Sequence, residues 1–256
     1  MYFETHSHYD FSQYDKDRDE LLGSILPNFG VNYILNIGCD IKSSRTNIAL
    51  SQKYDHVYAA VGFHPHDAKD MTKDNLKELE RLAKLPKVVA IGEIGLDFFR
   101  NLSSKDVQYS CFLSQLELAK KLKLPVIIHS RNADNEVYSV LQESEAGKAA
   151  GGVLHCFSGS LELARAYLDM GFYIGIGGMI TYKNNQKLQQ TVRQIPLDRL
   201  LIETDCPFLS PEPLRGSRND SQNLQYIAAK IAELKEISQE ELVDITTKNA
   251  INLFLS

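Results

Sequence analysis

No apolar run in the 256-residue chain is long enough to cross a bilayer as a helix. The N-terminus leads straight into a strand-like run, without the basic stretch and apolar segment of a secretory signal, so the cytoplasm is the expected compartment. Cysteine is sparse. Cys39, Cys111, Cys156 and Cys206 are widely spaced and form no CxxC pair, which predicts reduced thiols in or near the core. Cys156 and Cys206 each follow a candidate ligand by one position, and strand alternation turns them away from it. Basic excess is lacking too: 28 Lys and Arg stand against 33 Asp and Glu, a net charge of −5. If the substrate is nucleic acid, the contact must be local rather than carried by a broad positive surface. Gly151-Gly152 and Gly177-Gly178 match neither a GxGxxG nor a P-loop pattern and read as turns. No repeat, linker or low-complexity segment divides the chain. Its length suits one α/β barrel of roughly 250 residues, so a single domain over 1–256 is expected.

What is present is a series of strand-like apolar runs with helix-like segments between them. The runs lie near 2–6, 32–38, 57–63, 88–93, 125–129, 152–156, 172–177 and 199–205. Several are continuously apolar, as strands buried on both faces are. The pattern predicts a parallel (β/α)₈ TIM barrel. Among the helices, Ser104 precedes Lys105–Leu122, with Val107, Cys111, Leu113, Leu116 and Leu118 near helical spacing. Ser160 precedes Leu161–Met170, and Gly171 stops it. Ser238 to Glu241 matches a capping box. Two helices near 220–235 and 239–253 would close the barrel.

Five of the runs end in metal-binding side chains: His6 and His8, Glu93, His129, His155 and Asp205. Strand C-termini are where barrel enzymes place catalytic residues. Any one of these residues alone would be unremarkable, whereas together they surround one mouth and predict a metal centre. Imidazole with carboxylate suits zinc, manganese, iron or nickel, and with water also magnesium. Six ligands suit two divalent ions: His6, His8 and Asp205 on one, His129 and His155 on the other, Glu93 bridging. Such a pair makes hydroxide available at neutral pH and clamps both oxygens of a phosphoryl transfer. Asp205 is the candidate to orient the water and take its proton. Glu4 shares parity with His6 and His8, and Glu203 with Asp205, so both are expected inside the barrel beneath the ligands. His64, in Gly62-Phe63-His64-Pro65-His66, is a candidate for contacting phosphate or protonating the leaving oxygen, more so than His66. Arg131 and Arg215 are candidate phosphate contacts, whereas Arg218 and Asn219 read equally well as solvated loop residues.

Taken together, Thr5-His6-Ser7-His8-Tyr9-Asp10, Gly62 to His66, Gly92-Glu93-Ile94-Gly95-Leu96-Asp97, Ile128-His129-Ser130-Arg131, His155-Cys156-Phe157-Ser158-Gly159, Glu203-Thr204-Asp205-Cys206-Pro207 and Arg215 to Asn219 resemble the TatD-like deoxyribonuclease family of amidohydrolase-type barrels. The resemblance runs the length of the chain in order. It implies a cytoplasmic, metal-dependent hydrolase of DNA phosphodiester bonds, often a 3′–5′ exonuclease on single strands, with metal ligands at His6, His8, Glu93, His129, His155 and Asp205. Neither a membrane nor an obligate protein partner is implied. The chain departs from the family's usual pattern at Glu4, where Asp is frequent, after Asn219, and in the short loop after Asp97. A small-molecule amidohydrolase or lactonase, or an aminoacyl-tRNA deacylase, would use the same barrel. Many of the small-molecule enzymes bridge their metals with a modified lysine where this chain has Glu93, which favours the nuclease.

Overall fold

The computed structural model describes residues 1–144 and 151–256. Eight parallel strands form one sheet in sequential order: β1 Tyr2–Ser7, β2 Val31–Ile37, β3 Val57–Val61, β4 Val88–Asp97, β5 Val126–Arg131, β6 Gly152–Leu154, β7 Tyr173–Ile176 and β8 Leu200–Ile202. The ring closes just beyond the strand ends, where Asp205 N donates to His6 O (3.0 Å) and His8 N to Cys206 O (2.9 Å). Helices α1 Ile41–Lys53, α2 Lys73–Leu82, α3 Lys105–Leu122, α4 Asp134–Glu143, α5 Leu161–Asp169, α6 Gln186–Gln194, α7 Leu224–Lys235 and α8 Gln239–Phe254 complete the (β/α)₈ barrel, with a broken helical segment over 18–29 between β1 and β2. No helix of the described residues is long and apolar enough to cross a membrane.

Two apolar layers hold the barrel. The inner one comprises Phe3, Leu35, Ile37, Ala60, Ala90, Ile127, Val153 and Leu201, plugged from below by Ala250 and Phe254 of α8. The outer one includes Ile34, Ile91, Ile94, Ile128, Ile174 and Ile202, packed on helix side chains such as Phe112 and Val137. Burial on both sides in this way is why several of the strand sequences are continuously apolar.

Helix signals were mostly sound. Ser160 Oγ accepts from Leu163 N (3.3 Å) and Ser238 Oγ from Glu241 N (3.1 Å). Asp40 and Ser43 form a full capping box at α1. The apolar face expected for α3 is partly wrong: Val107 and Leu113 are exposed, and Gln108 and Gln115 are buried in their stead. Each glutamine secures a neighbouring strand end. Gln115 bonds the backbone N and O of Phe63 (2.7 and 3.0 Å), and Gln108 accepts from Asp97 N (2.8 Å). The polar pair satisfies backbone groups that β3 and β4 leave open where they give way to loops.

β4 departs most from expectation. It runs past Glu93 to Asp97, and its register against β5 slips between Ile91 and Ile94. Three steps on β4 match two on β5, from Val126 to Ile128, so one extra residue is inserted. Such a bulge lets Ile91 and Ile94 both face outward while Glu93 turns into the mouth. The Gly92–Glu93 peptide is cis. It lies against Gly62, where an added Cβ would sit 2.7 Å from Gly92 C and 2.8 Å from its O. Gly95 is under a similar constraint: its φ is +146° and a Cβ would meet His129 O at 2.0 Å. Gly62→Ala, whose φ is ordinary, should lose about 1–3 kcal/mol of stability through overpacking. Urea denaturation checks this, and a wild-type midpoint would show that the peptide at Glu93 has room to move.

Candidate metal centre

A second bulge shapes β1. Glu4 pairs with Ile34 and Ser7 with Asn36, again three steps against two. His6, within it, and His8, just after it, both point into the mouth. Their Nε2 atoms are 3.2 Å apart. His6 Nε2 lies 3.4 Å from Glu93 Oε2 and 3.7 Å from Asp205 Oδ1, and His8 Nε2 lies 3.9 and 3.5 Å from the same oxygens. One divalent ion with bonds of about 2.1 Å gathers a tetrahedral set whose edges are about 3.4 Å, so His6, His8 and Glu93 are spaced to share a cation, with Asp205 Oδ1 beside both imidazoles. His8 Nδ1 faces Ile37 O at 3.2 Å, which fixes Nε2 as the free nitrogen.

The other oxygen of Glu93 serves a second group. Oε1 lies 2.6 Å from His129 Nδ1, 2.8 Å from His155 Nε2 and 3.7 Å from His64 Nε2. The carboxylate therefore presents one oxygen to each set of imidazoles. Burial opposes ionisation of Glu93, but His155, His64 and His129 outweigh it and hold the carboxyl well below its ordinary range. Asp205 is likewise held low despite burial, by His8 and His6. Burial pushes the His64 imidazole well below its ordinary range. His64 Nδ1 accepts from His66 N–H (3.1 Å), so the neutral ring carries its proton on Nε2, toward the mouth.

Of the two glutamates expected beneath the ligands, Glu203 is there. Its Oε1 is 3.4 Å from His155 Nδ1 and accepts from Cys156 N–H. Gly175 on β7 leaves it space, since a Cβ there would come within 2.6 Å of Oε2. His6 and His155 stack above it with centroids 3.8 Å apart. The buried His6 Nδ1, His155 Nδ1 and Glu203 Oε2 have no hydrogen-bond partner by strict geometry. Glu4 is a correction. The extra residue in β1 reverses its facing, so it lies outside the barrel, buried beside Thr204. It accepts from His6 N (3.2 Å), Thr204 N (2.9 Å) and Thr204 Oγ1 (2.6 Å), joining the two backbones that carry His6 and Asp205.

At the rim, Arg131 and Arg215 are exposed at the mouth, but each lies over an aromatic ring, Phe99 at 4.0 Å and Tyr182 at 4.4 Å. Arg218 is an exposed loop residue, as one of its two readings has it, whereas Asn219 is not. Arg218 pairs with Asp17 (2.8 Å), and Asn219 is fully buried, donating to Thr204 O (3.0 Å) and Phe208 O (2.6 Å). Cys206 is buried on the outer side as expected. Cys156 is not turned away: its φ of +48° breaks the alternation, and after burial the carboxylates of Asp205, Glu203 and Glu93 push its thiol up. Sequence reasoning missed Asp97. This buried carboxylate bonds His66 Nε2 (2.8 Å) and His129 Nε2 (3.2 Å), orienting the His129 ring. It shares parity with Glu93, a signal visible once β4 is extended to its true length.

Barrel and mouth together define a class, the metal-dependent hydrolases. Residues 3–255 match the TatD related DNase family, and the chain belongs to it. It is 46% identical over 254 residues to an uncharacterized metal-dependent hydrolase, YabD, of Bacillus subtilis, covering 99% of each. It is 37% identical over 248 residues to the 3′-5′ ssDNA/RNA exonuclease TatD of Citrobacter rodentium, covering 95% of this chain and 94% of the other. The crystal structure of YJJV, a TatD homologue from Escherichia coli, superposes with a TM-score of 0.91 at 31% identity, covering 100% of this chain and 98% of that one.

Glu4 gives a pH test of its corrected position. Burial outweighs its hydrogen bonds and raises its carboxyl from 4.5 to about 7. A raised folded-state pKa means that the protonated form favours folding. That contribution is complete below pH 4.5 and is lost as pH rises through 7. The shift corresponds to about 3 kcal/mol. Metal-free Glu4→Gln should therefore gain stability relative to wild type by up to about that much between pH 4.5 and 8, measured by urea denaturation. Parallel pH curves would place Glu4 in contact with solvent.

Proposed function

We propose that the chain hydrolyses phosphodiester bonds of DNA, working from the 3′ ends of single strands, with two divalent ions held at the barrel mouth. The observation that carries this reading is the division of Glu93, with Oε2 beside His6 and His8 and Oε1 beside His129 and His155. Relatives named as 3′-5′ ssDNA/RNA exonucleases, at 36–37% identity, support nucleic acid as the substrate. In this reading His6, His8 and Asp205 would hold one ion, His129 and His155 would hold the other, and Glu93 would serve both. Magnesium, manganese or zinc bound there would supply Lewis acidity and water that ionises near neutral pH.

The chain's own groups do the rest. Asp205, ionised and at the open side of the cluster, orients the attacking water and accepts its proton. His64 carries its proton on Nε2 and donates to a phosphate or leaving-group oxygen. Asp97 and Glu203 hold the rings of His129 and His155. Arg131 and Arg215 meet the phosphates on either side of the cleaved bond. The four free cysteines fit a reducing compartment, and we place the activity in the cytoplasm.

The test uses purified protein loaded with magnesium, manganese or zinc and single-stranded DNA labelled at its 3′ end. Wild type should release labelled mononucleotide, and Asp205→Asn should be slower by roughly a thousandfold. An RNA strand of the same sequence measures sugar preference. No cleavage with any metal, together with turnover of a lactone or carboxylic ester panel, would sink the nuclease reading.

A further inference from the structure

Seven large apolar side chains are exposed among the described residues, and only Phe99 (59%) and Phe208 (44%) are aromatic. Both stand on loops at the mouth, after β4 and β8. Singly exposed apolar residues are ordinary, but these two rings are tethered to the site. Phe99 N donates to Asp97 Oδ1 (3.0 Å), the carboxylate that holds His129. Phe208 N donates to Asp205 O (2.9 Å), and buried Asn219 donates to Phe208 O (2.6 Å). Phe208 also ends a row of rings that begins at His8. Phe11 stacks on His8 at 5.1 Å and meets Phe208 edge-on at 5.6 Å, and Phe208 is 6.5 Å from His8. On the other side, the Arg131 guanidinium covers one face of Phe99 at 4.0 Å.

We infer that Phe208 and Phe99 are stacking platforms for unpaired nucleobases on either side of the bound phosphate, and that they select single strands. The inference rests on the nucleic-acid reading above and adds the residues that recognise the strand. Every base has a π face, so an aromatic platform holds any sequence, but only when the base is free of its partner and its neighbours. A base inside a duplex presents edges to the grooves and keeps its faces covered. The platforms also suit a chain with a net charge of −5, because stacking supplies strand affinity that a basic surface does not. Arg131, over one face of Phe99, leaves the ring's other face for a base and keeps a positive charge near the backbone.

The test compares a 3′-labelled single strand with an abasic strand of equal length, for wild type, Phe208→Ala, Phe99→Ala and Phe208→Trp. Wild type should favour the base-bearing strand. Each alanine variant should raise KM for that strand roughly tenfold to a hundredfold while kcat changes little, collapsing the preference, and Phe208→Trp should restore it. Thermal melts confirm folding of each variant. If the alanine variants lose equally on both strands, or lose nothing, the platforms are overturned while the nuclease stands. If wild type cleaves neither strand, the nuclease reading falls as well.

Discussion

The site depends on the placement of one carboxylate. Glu93 lies within a bulge of β4, between Ile91 and Ile94, and its side chain enters the mouth while those two stay in the outer apolar layer. From there its two oxygens face two groups of imidazoles. A regular strand would leave Glu93 with a single facing fixed by alternation, and the residues after it would fall out of step with β5.

Much of the surrounding structure accommodates that bulge. Gly62 leaves room for the peptide that carries Glu93, and Gly95 lets β4 pass close to His129 O. Gln115 and Gln108, from α3, bond the backbone at the ends of β3 and β4, next to His64 and at Asp97. β1 has its own bulge. There Glu4, outside the barrel, ties the His6 backbone to the segment leading into Asp205. Inside, Glu203 lies beneath His6 and His155 in space that Gly175 leaves open. A cluster of four imidazoles and two ionised carboxylates is thus held by backbone geometry and outer hydrogen bonds, with few of its own side chains in contact with bulk water.

All eight strands are legible because burial on both faces makes most of their positions apolar, and the candidate ligands stand out because they end those runs. Alternation then located Glu203 correctly and Glu4 wrongly. The difference is the inserted residue in β1, and an insertion changes facing without leaving a mark in composition. Asp97 escaped notice because β4 was ended at its first carboxylate, four residues early. Asn219 looks like part of a polar loop, yet it is buried and spends its amide on backbone oxygens that hold the segment after β8, while its exposed neighbour Arg218 pairs with Asp17. Polar residues that serve long-range backbone groups resemble solvated ones until the chain is folded.

The central claim is that Glu93 joins two metal sites. Electron paramagnetic resonance of the manganese-loaded protein tests it most directly. Ions about 4 Å apart and sharing a carboxylate are exchange-coupled, so wild type should bind two per chain and give a coupled spectrum, while Glu93→Gln should lose the coupling and hold at most one. A spectrum of isolated ions in wild type, or coupling that survives in Glu93→Gln, would contradict the account.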